Sequence, residues 1–355
     1  MRRLQSSLAV GLCLLTLGVS CAHPKPKPVI LPPSPRPIVT KPKPVTEIRA
    51  VWVSDTAKLD WDKATRDLQR AGFNTMYVNL VSAGAALYPH SQSLPSVVDS
   101  GTDEVARGIE LAHRRGIAVH AKFIVMFSFK SPSEYQRRLL KADRVMRGED
   151  GKLIMQSGCY WVCPSQTVNR DTMKAAITET LTRYPVDGIQ FDYIRFNEEP
   201  SCYCKTCRQA AAKFPGAFND WRLQLMNDWA RDLSATARRA RPGVKVSAAV
   251  FPLLGRAREE KAQDWKLWVD RGYLDYICTM NYTPDTREFE SRNRSAIAAV
   301  PRERVVAGIG SWKLNDPAAL RDQIDSVRRA GDAGFALFSY DDAETRSFLP
   351  DLNPR

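Results

Sequence analysis

Eight short apolar runs alternate with stretches of helical periodicity between residues 47 and 345, and this alternation constrains the fold more than any other feature. The runs are Ile48–Val53, Phe73–Leu80, Ile117–Ile124, Gly188–Phe191, Val244–Phe251, Leu274–Met280, Val305–Ile309 and Gly334–Ser339. Between them the spacing predicts helices over Leu59–Ala71, Thr102–Arg115, Arg170–Tyr184, Asp220–Arg241, Asp264–Arg271 and Pro317–Ala330. Thr102 reads as the N-cap of the second of these, and glycine or proline ends several of them. Strands that alternate with helices pair in parallel, because each parallel pair needs a crossover. Eight such units over about 300 residues suit an α/β (β/α)₈ TIM-like barrel better than an open sheet. A long loop and helical insertion is expected after the fourth strand. No glycine-rich fingerprint follows the first strand, which argues against a dinucleotide fold and an organic cofactor.

A barrel of this kind carries its site at the carboxyl ends of its strands. The most informative stretch is Pro185-Val-Asp-Gly-Ile-Gln-Phe-Asp-Tyr-Ile-Arg-Phe196, where Asp192, Tyr193 and Arg195 directly follow a buried strand. Polar and aromatic residues collect at the other strand ends: Asp55, Asn79, Lys122, Asn281, Tyr282, Trp312, Tyr340, Asp341 and Asp342. Carboxylates, amides and rings together suit a sugar, because rings cover the apolar faces of a pyranose and amides bond its hydroxyls. The competing reading for each is a cap on a strand-to-helix turn.

Cys202-Tyr-Cys204-Lys-Thr-Cys207 follows the fourth strand closely. Three thiols at this spacing, completed by a distant fourth, would make a tetrahedral structural zinc site. Cys163 and Cys159, in Gly158-Cys-Tyr-Trp-Val-Cys163-Pro164, are the candidates for the fourth ligand. Disulfides are the alternative in an oxidising compartment. Cys278 sits inside the sixth strand and reads as a buried thiol.

Residues 1–21 carry Arg2 and Arg3, the apolar run Leu8–Leu17 and then Gly18-Val-Ser-Cys21, which is the order of a secretory signal. Cys21 after Val-Ser resembles a lipoprotein cleavage site, with Gly18 at the place usually held by leucine. Lipidation at Cys21 would anchor the chain to the cell envelope, and Ala22 favours the outer membrane, facing the periplasm. Residues 22–46 are rich in proline and lysine and read as an extended spacer, on the order of 70 Å long. The barrel domain is then 47–355. Seven positive charges of the net +13 lie in residues 1–46, which hold no acid, so +6 remains for the domain. That excess is too small to argue for nucleic acid, and no nucleic-acid motif is present. The sequence is silent on oligomeric state.

The chain resembles the family-10-like glycosyl hydrolases. The matching residues are Glu47-Ile-Arg-Ala-Val-Trp-Val53, Gly72-Phe-Asn-Thr-Met-Tyr-Val78, Leu87-Tyr-Pro89 and Asp187-Gly-Ile-Gln-Phe-Asp-Tyr-Ile-Arg-Phe196. The resemblance implies hydrolysis of a glycosidic bond in an envelope or extracellular polysaccharide, with peptidoglycan glycan strands as one such substrate. The cysteine cluster is similar to one that holds zinc after the fourth strand in family 42 β-galactosidases. Glycoside hydrolysis usually needs two carboxylates across the scissile bond. Asp192 is the first choice for nucleophile or base, and Asp341, Asp342 and Asp55, in that order, for the acid. Tyr193, Tyr282, Trp312 and Tyr340 would contact sugar with their rings, and Asn79, Lys122, Arg195 and Asn281 with polar groups. The motif does not hand over the second carboxylate, so a barrel that binds a glycan without cutting it is the alternative. A metal-dependent amidase or deacetylase lacks support, because the four histidines are scattered.

Overall fold

The computed structural model describes residues 47–352, except 83, 99–100, 128–133 and 198–199. The signal, the spacer and Cys21 lie outside the described residues. Eight parallel strands run in chain order: β1 Ile48–Val53, β2 Thr75–Ser82, β3 Ala118–Ile124, β4 Gly188–Asp192, β5 Lys245–Val250, β6 Tyr276–Met280, β7 Val305–Gly310 and β8 Gly334–Phe338. Each pairs with the next, and β1 pairs with both β2 and β8, which closes the barrel. The expected (β/α)₈ fold is therefore the observed one.

Alternation along the strands decides what fills the barrel. On β1, Val51 and Val53 pack outward with the helices while Ala50 and Trp52 face in. On β4, Ile189 and Phe191 face out, so Gly188, Gln190 and Asp192 share the inner face. Likewise Val119, Ala121 and Phe123 of β3 face out, which places His120 and Lys122 inside. The inner layer is polar and mutually bonded. Trp52 Nε1 donates to Gln190 Oε1 at 2.5 Å, and Gln190 Nε2 donates to Cys278 Sγ at 3.2 Å and Ser247 Oγ at 3.4 Å. The hydroxyls of Tyr77 and Tyr276 meet at 3.2 Å, and His120 Nδ1 lies 3.3 Å from the latter. Burial holds the imidazole neutral, down at about 4, and pushes the Cys278 thiol up to about 12. A Cβ at Gly188 would run into the His120 ring, so only glycine fits there.

The helices are α1 Trp61–Arg70, α2 Glu104–Arg114, α3 Glu134–Lys141, α4 Thr167–Arg183, α5 Lys205–Ala211, α6 Phe218–Ala240, α7 Leu254–Lys261, α8 Trp265–Asp270, α9 Thr286–Ala299, α10 Pro317–Ala330 and α11 Ala343–Phe348. Asp103, not Thr102, caps α2: its carboxylate accepts from Ala106 N at 3.1 Å, whereas Thr102 Oγ1 donates to Glu104. α9 escapes the periodicity reading because it buries only Phe289, Asn293 and Ala296. The insertion expected after β4 is present and contains α5. A second, unexpected one joins β3 to α4 and contains α3 and the short pair Met155–Gln156 with Cys159–Tyr160. No helix among the described residues is long and apolar enough to cross a membrane.

Candidate active site

Asp192 ends β4 one inward position above Gln190, which puts it at the floor of the barrel mouth. It is 7% exposed. Oδ1 accepts the Tyr193 N–H at 2.8 Å, and Oδ2 lies 3.4 Å from the Lys122 ammonium. Tyr193 turns the chain with φ 53°, a left-handed conformation that strands do not use. That turn lays its ring flat on Phe127, with centroids 4.8 Å apart, and beside Trp161 at 5.5 Å. The Arg195 guanidinium sits among the rings of Tyr193, Phe251 and Trp161, at 4.6, 5.0 and 5.1 Å. Lys261 lies over the same Phe251 ring at 5.2 Å.

The opposite side comes from β6 and β7. Tyr282 packs edge-on to Trp312, with centroids 5.0 Å apart, and tilted on Phe338 at 5.5 Å. Burial and then the Asp192 charge push the Tyr282 hydroxyl well above the ordinary tyrosine value, so it stays a donor. Trp312 is 38% exposed, one of the few large apolar side chains open to solvent. An exposed indole packed on Tyr282 and Phe338 is a surface on which a sugar ring can stack.

The structure thus gathers Lys122, Asp192, Tyr193, Arg195, Tyr282 and Trp312. Other sequence-selected residues have local partners. Asp341 accepts the backbone N–H groups of Ser54 at 2.7 Å and Asp55 at 3.0 Å, tying β8 to the end of β1. Asp342 precedes α11 without capping it through its side chain; its carboxylate takes the Ser339 amide at 2.8 Å and hydroxyl at 3.1 Å. Asp55 is exposed and pairs with Lys58 at 3.0 Å. The Tyr340 hydroxyl donates to Asp67 of α1 at 3.1 Å. Asn281 Nδ2 donates to the Phe289 carbonyl of α9 at 2.8 Å, and Asn79 Nδ2 to the Ser54 carbonyl at 3.4 Å. Phe127, Trp161, Phe251 and Lys261 were not singled out from sequence. Trp161 stands between two cysteines that drew the attention, and Lys261 lies in a helix with only Ala257 as its other buried residue.

The two insertions meet at a cysteine cluster. Sγ atoms of Cys163, Cys202, Cys204 and Cys207 all lie within 4.8 Å of one another, and all four residues are buried. Cys163 Sγ is 3.5 Å from both Cys204 and Cys207. The six described cysteines form no disulfide. Cys159 is outside the cluster, with its thiol directed to the Ser157 carbonyl at 3.9 Å. The group could hold a metal ion.

The glycosyl hydrolase-like 10 family model matches residues 47–319. The chain belongs to this family. It is 26% identical to the glycosyl hydrolase DigH of Escherichia coli K12, over 88% of this chain and 84% of that protein. It is 23% identical to the glycosyl hydrolase YngK of Bacillus subtilis, over 66% of this chain and 54% of that one. The fold resembles the PgaB (BpsB) glycoside hydrolase domain of Bordetella bronchiseptica, with TM-score 0.65, 15% identity and coverage of 86% and 99% of the two chains. A β-galactosidase of Rahnella sp. R3 gives TM-score 0.63 at 14% identity, over 87% of this chain and 56% of that one. As a glycosyl hydrolase-like 10 member the chain is a glycoside hydrolase.

Proposed function

We propose that this glycoside hydrolase cuts an envelope or extracellular polysaccharide, with peptidoglycan glycan strands as the first candidate, and that Asp192 is its nucleophile or base. The observation that carries the reading is the position of Asp192: inward-facing, at the carboxyl end of β4, and flanked by rings on both sides. Trp312 and Tyr282 would stack a sugar while Asp192 supports the positive charge that develops at its anomeric carbon. Asp341 and Asp342 use their carboxylates to hold backbone amides, so Asp55 moves to the front of the three acid candidates. Lipidation at Cys21 would present the barrel from the outer membrane into the periplasm.

The cysteine cluster is proposed to hold one structural zinc ion. Tetrahedral zinc with bonds of about 2.3 Å needs sulfurs about 3.8 Å apart, and the observed spacing of 3.5 Å for two pairs, with all within 4.8 Å, fits that set. Four protein ligands leave no open position, so such an ion would brace the two insertions without touching the reaction.

The test is digestion of purified glycan strands, with and without stem peptides, by the full chain in detergent, with products read by mass. Asp192→Asn should lose activity by roughly 10³-fold or more, because an amide lacks the charge the transition state needs. Normal turnover in the folded variant would remove Asp192 from the mechanism. Cys21→Ser should release the protein from membranes, and persistent membrane fractionation would refute the anchor.

A further inference from the structure

We propose that Lys122 is a positioning residue for Asp192 and not a contact for the sugar; the proposal rests on Asp192 being the nucleophile or base. In the parallel pairing of β3 with β4, Lys122 stands opposite Gln190 and Ile124 opposite Asp192. Lys122 therefore starts one inward layer deeper than the carboxylate and reaches up to it from inside the barrel. Its side chain is 2% exposed and that of Asp192 is 10% exposed. A glycan arriving at the mouth meets Asp192 first.

Among the described residues, the two groups bonded to the Asp192 side chain are both donors. Oδ1 takes the Tyr193 amide at 2.8 Å and Oδ2 faces the ammonium at 3.4 Å. This fixes the plane of the carboxylate and complements its anionic form, the form a nucleophile or base requires. The 3.4 Å separation exceeds the span of about 2.7–2.9 Å typical of a tight charge-assisted hydrogen bond. Lys122 occupies one lone pair of Oδ2, and the oxygen keeps its other lone pair for the reacting centre. Tyr193 holds the other oxygen rigidly because its ring is pinned between Phe127 and Arg195. The arrangement explains why a lysine stands on a strand whose outward neighbours, Ala121 and Phe123, are wholly apolar. A buried ammonium persists only with an opposite charge beside it, and Asp192 supplies that charge.

The experiment measures kcat and KM separately on glycan strands for the full-length wild type, Lys122→Met, Lys122→Gln and Asp192→Asn. It adds melting curves for these and for the double variant Asp192→Asn/Lys122→Met. The expected result for Lys122→Met is a kcat lower by roughly 100-fold, the scale of losing one preorganised electrostatic partner, with KM within about threefold, since the sugar never touched the lysine. In melting, Lys122→Met should lower Tm in the wild-type background and raise it in the Asp192→Asn background, where it removes a buried charge left alone. A raised KM with unchanged kcat would make Lys122 a sugar contact and overturn the proposal, as would normal kinetics in the folded variant. Should Lys122→Met fail to fold, Lys122→Gln is read by the same criteria. An active Asp192→Asn enzyme would overturn the nucleophile reading itself. An inactive Asp192→Asn beside a normal Lys122→Met would overturn only the positioning role.

Discussion

Cys163→Ser is the substitution whose cost can be worked out from chain geometry. A metal at the cluster would tie residue 163 to residues 204 and 207, which lie 41 and 44 positions further on. Closing a loop of about 40 residues removes about 4 kcal/mol of unfolded-chain entropy in the cross-link model. Losing the clip should therefore cost about that much stability, before any cost of leaving three thiols without their ion. For a domain of about 300 residues, at about 2.1 cal/mol/K of unfolding entropy per residue, 1 kcal/mol moves Tm by about 1.5 °C, so the melting point should fall by about 6 °C. A strong chelator should lower the wild-type Tm comparably and leave Cys163→Ser unmoved. Cys159→Ser should keep its metal, because that thiol lies outside the cluster. The assay is metal content by mass spectrometry together with melting curves, and free thiols counted under denaturing conditions. Metal-free wild type with fewer free thiols than cysteines would point to disulfides. A Cys163→Ser protein melting with the wild type would refute the clip.

Two further substitutions test other parts of the chain. Asp341→Asn replaces one of two backbone-accepting oxygens with an amide donor, so it should cost about 1–3 kcal/mol in a denaturation curve; if Asp341 is the catalytic acid instead, glycan cleavage will collapse while stability changes little. Burial pushes the Asp332 carboxyl up to about 6, offset in part by the Asn293 amide at 2.9 Å. A folded value above the unfolded one gives a contribution that is full below about 3.8 and lost as pH rises through about 6. Asp332→Asn should then stabilise the protein by on the order of 2 kcal/mol at pH 7.5 and change little at pH 4, and equal Tm shifts at both pH values would refute it.

The barrel was legible because each strand is a short apolar run cut off by glycine, proline or a polar turn. α10 matches its periodicity at both ends, since Asp316 caps it, Pro317 opens it and Gly331 closes it at φ 77°. α7 and α9 were not legible, because two buried residues among eight in α7 and three among fourteen in α9 leave almost no periodic signal. Asp192 and Arg195 stood out because polar residues directly follow a buried strand. The partners of Asp341 and Tyr340 could not be read, because they lie just past β1 and on α1, contacts that exist only after the barrel closes, whereas Asp342 bonds Ser339 three residues before it. The choice between Cys159 and Cys163 was open for the same reason: a hairpin decides which thiol turns inward.

The aromatic wall explains why two insertions absent from a minimal barrel occur together here. Trp161 lies two residues before Cys163, on a segment bridged antiparallel to Phe127 at the exit of β3. Its ring touches Phe127 at 5.3 Å, Tyr193 at 5.5 Å and the Arg195 guanidinium at 5.1 Å. The other three cysteines end the loop that begins with Tyr193. The first insertion is held to the barrel by its own buried apolar residues, among them Leu139, Val145, Met146 and Ile154. Joined by an ion at the cluster, the two insertions would clamp the Trp161–Tyr193–Arg195 stack from both ends, and the Tyr193 amide donates to one oxygen of Asp192. An ion at the cluster would therefore act as a cross-link outside the barrel that rigidifies the turn carrying the Asp192 carboxylate.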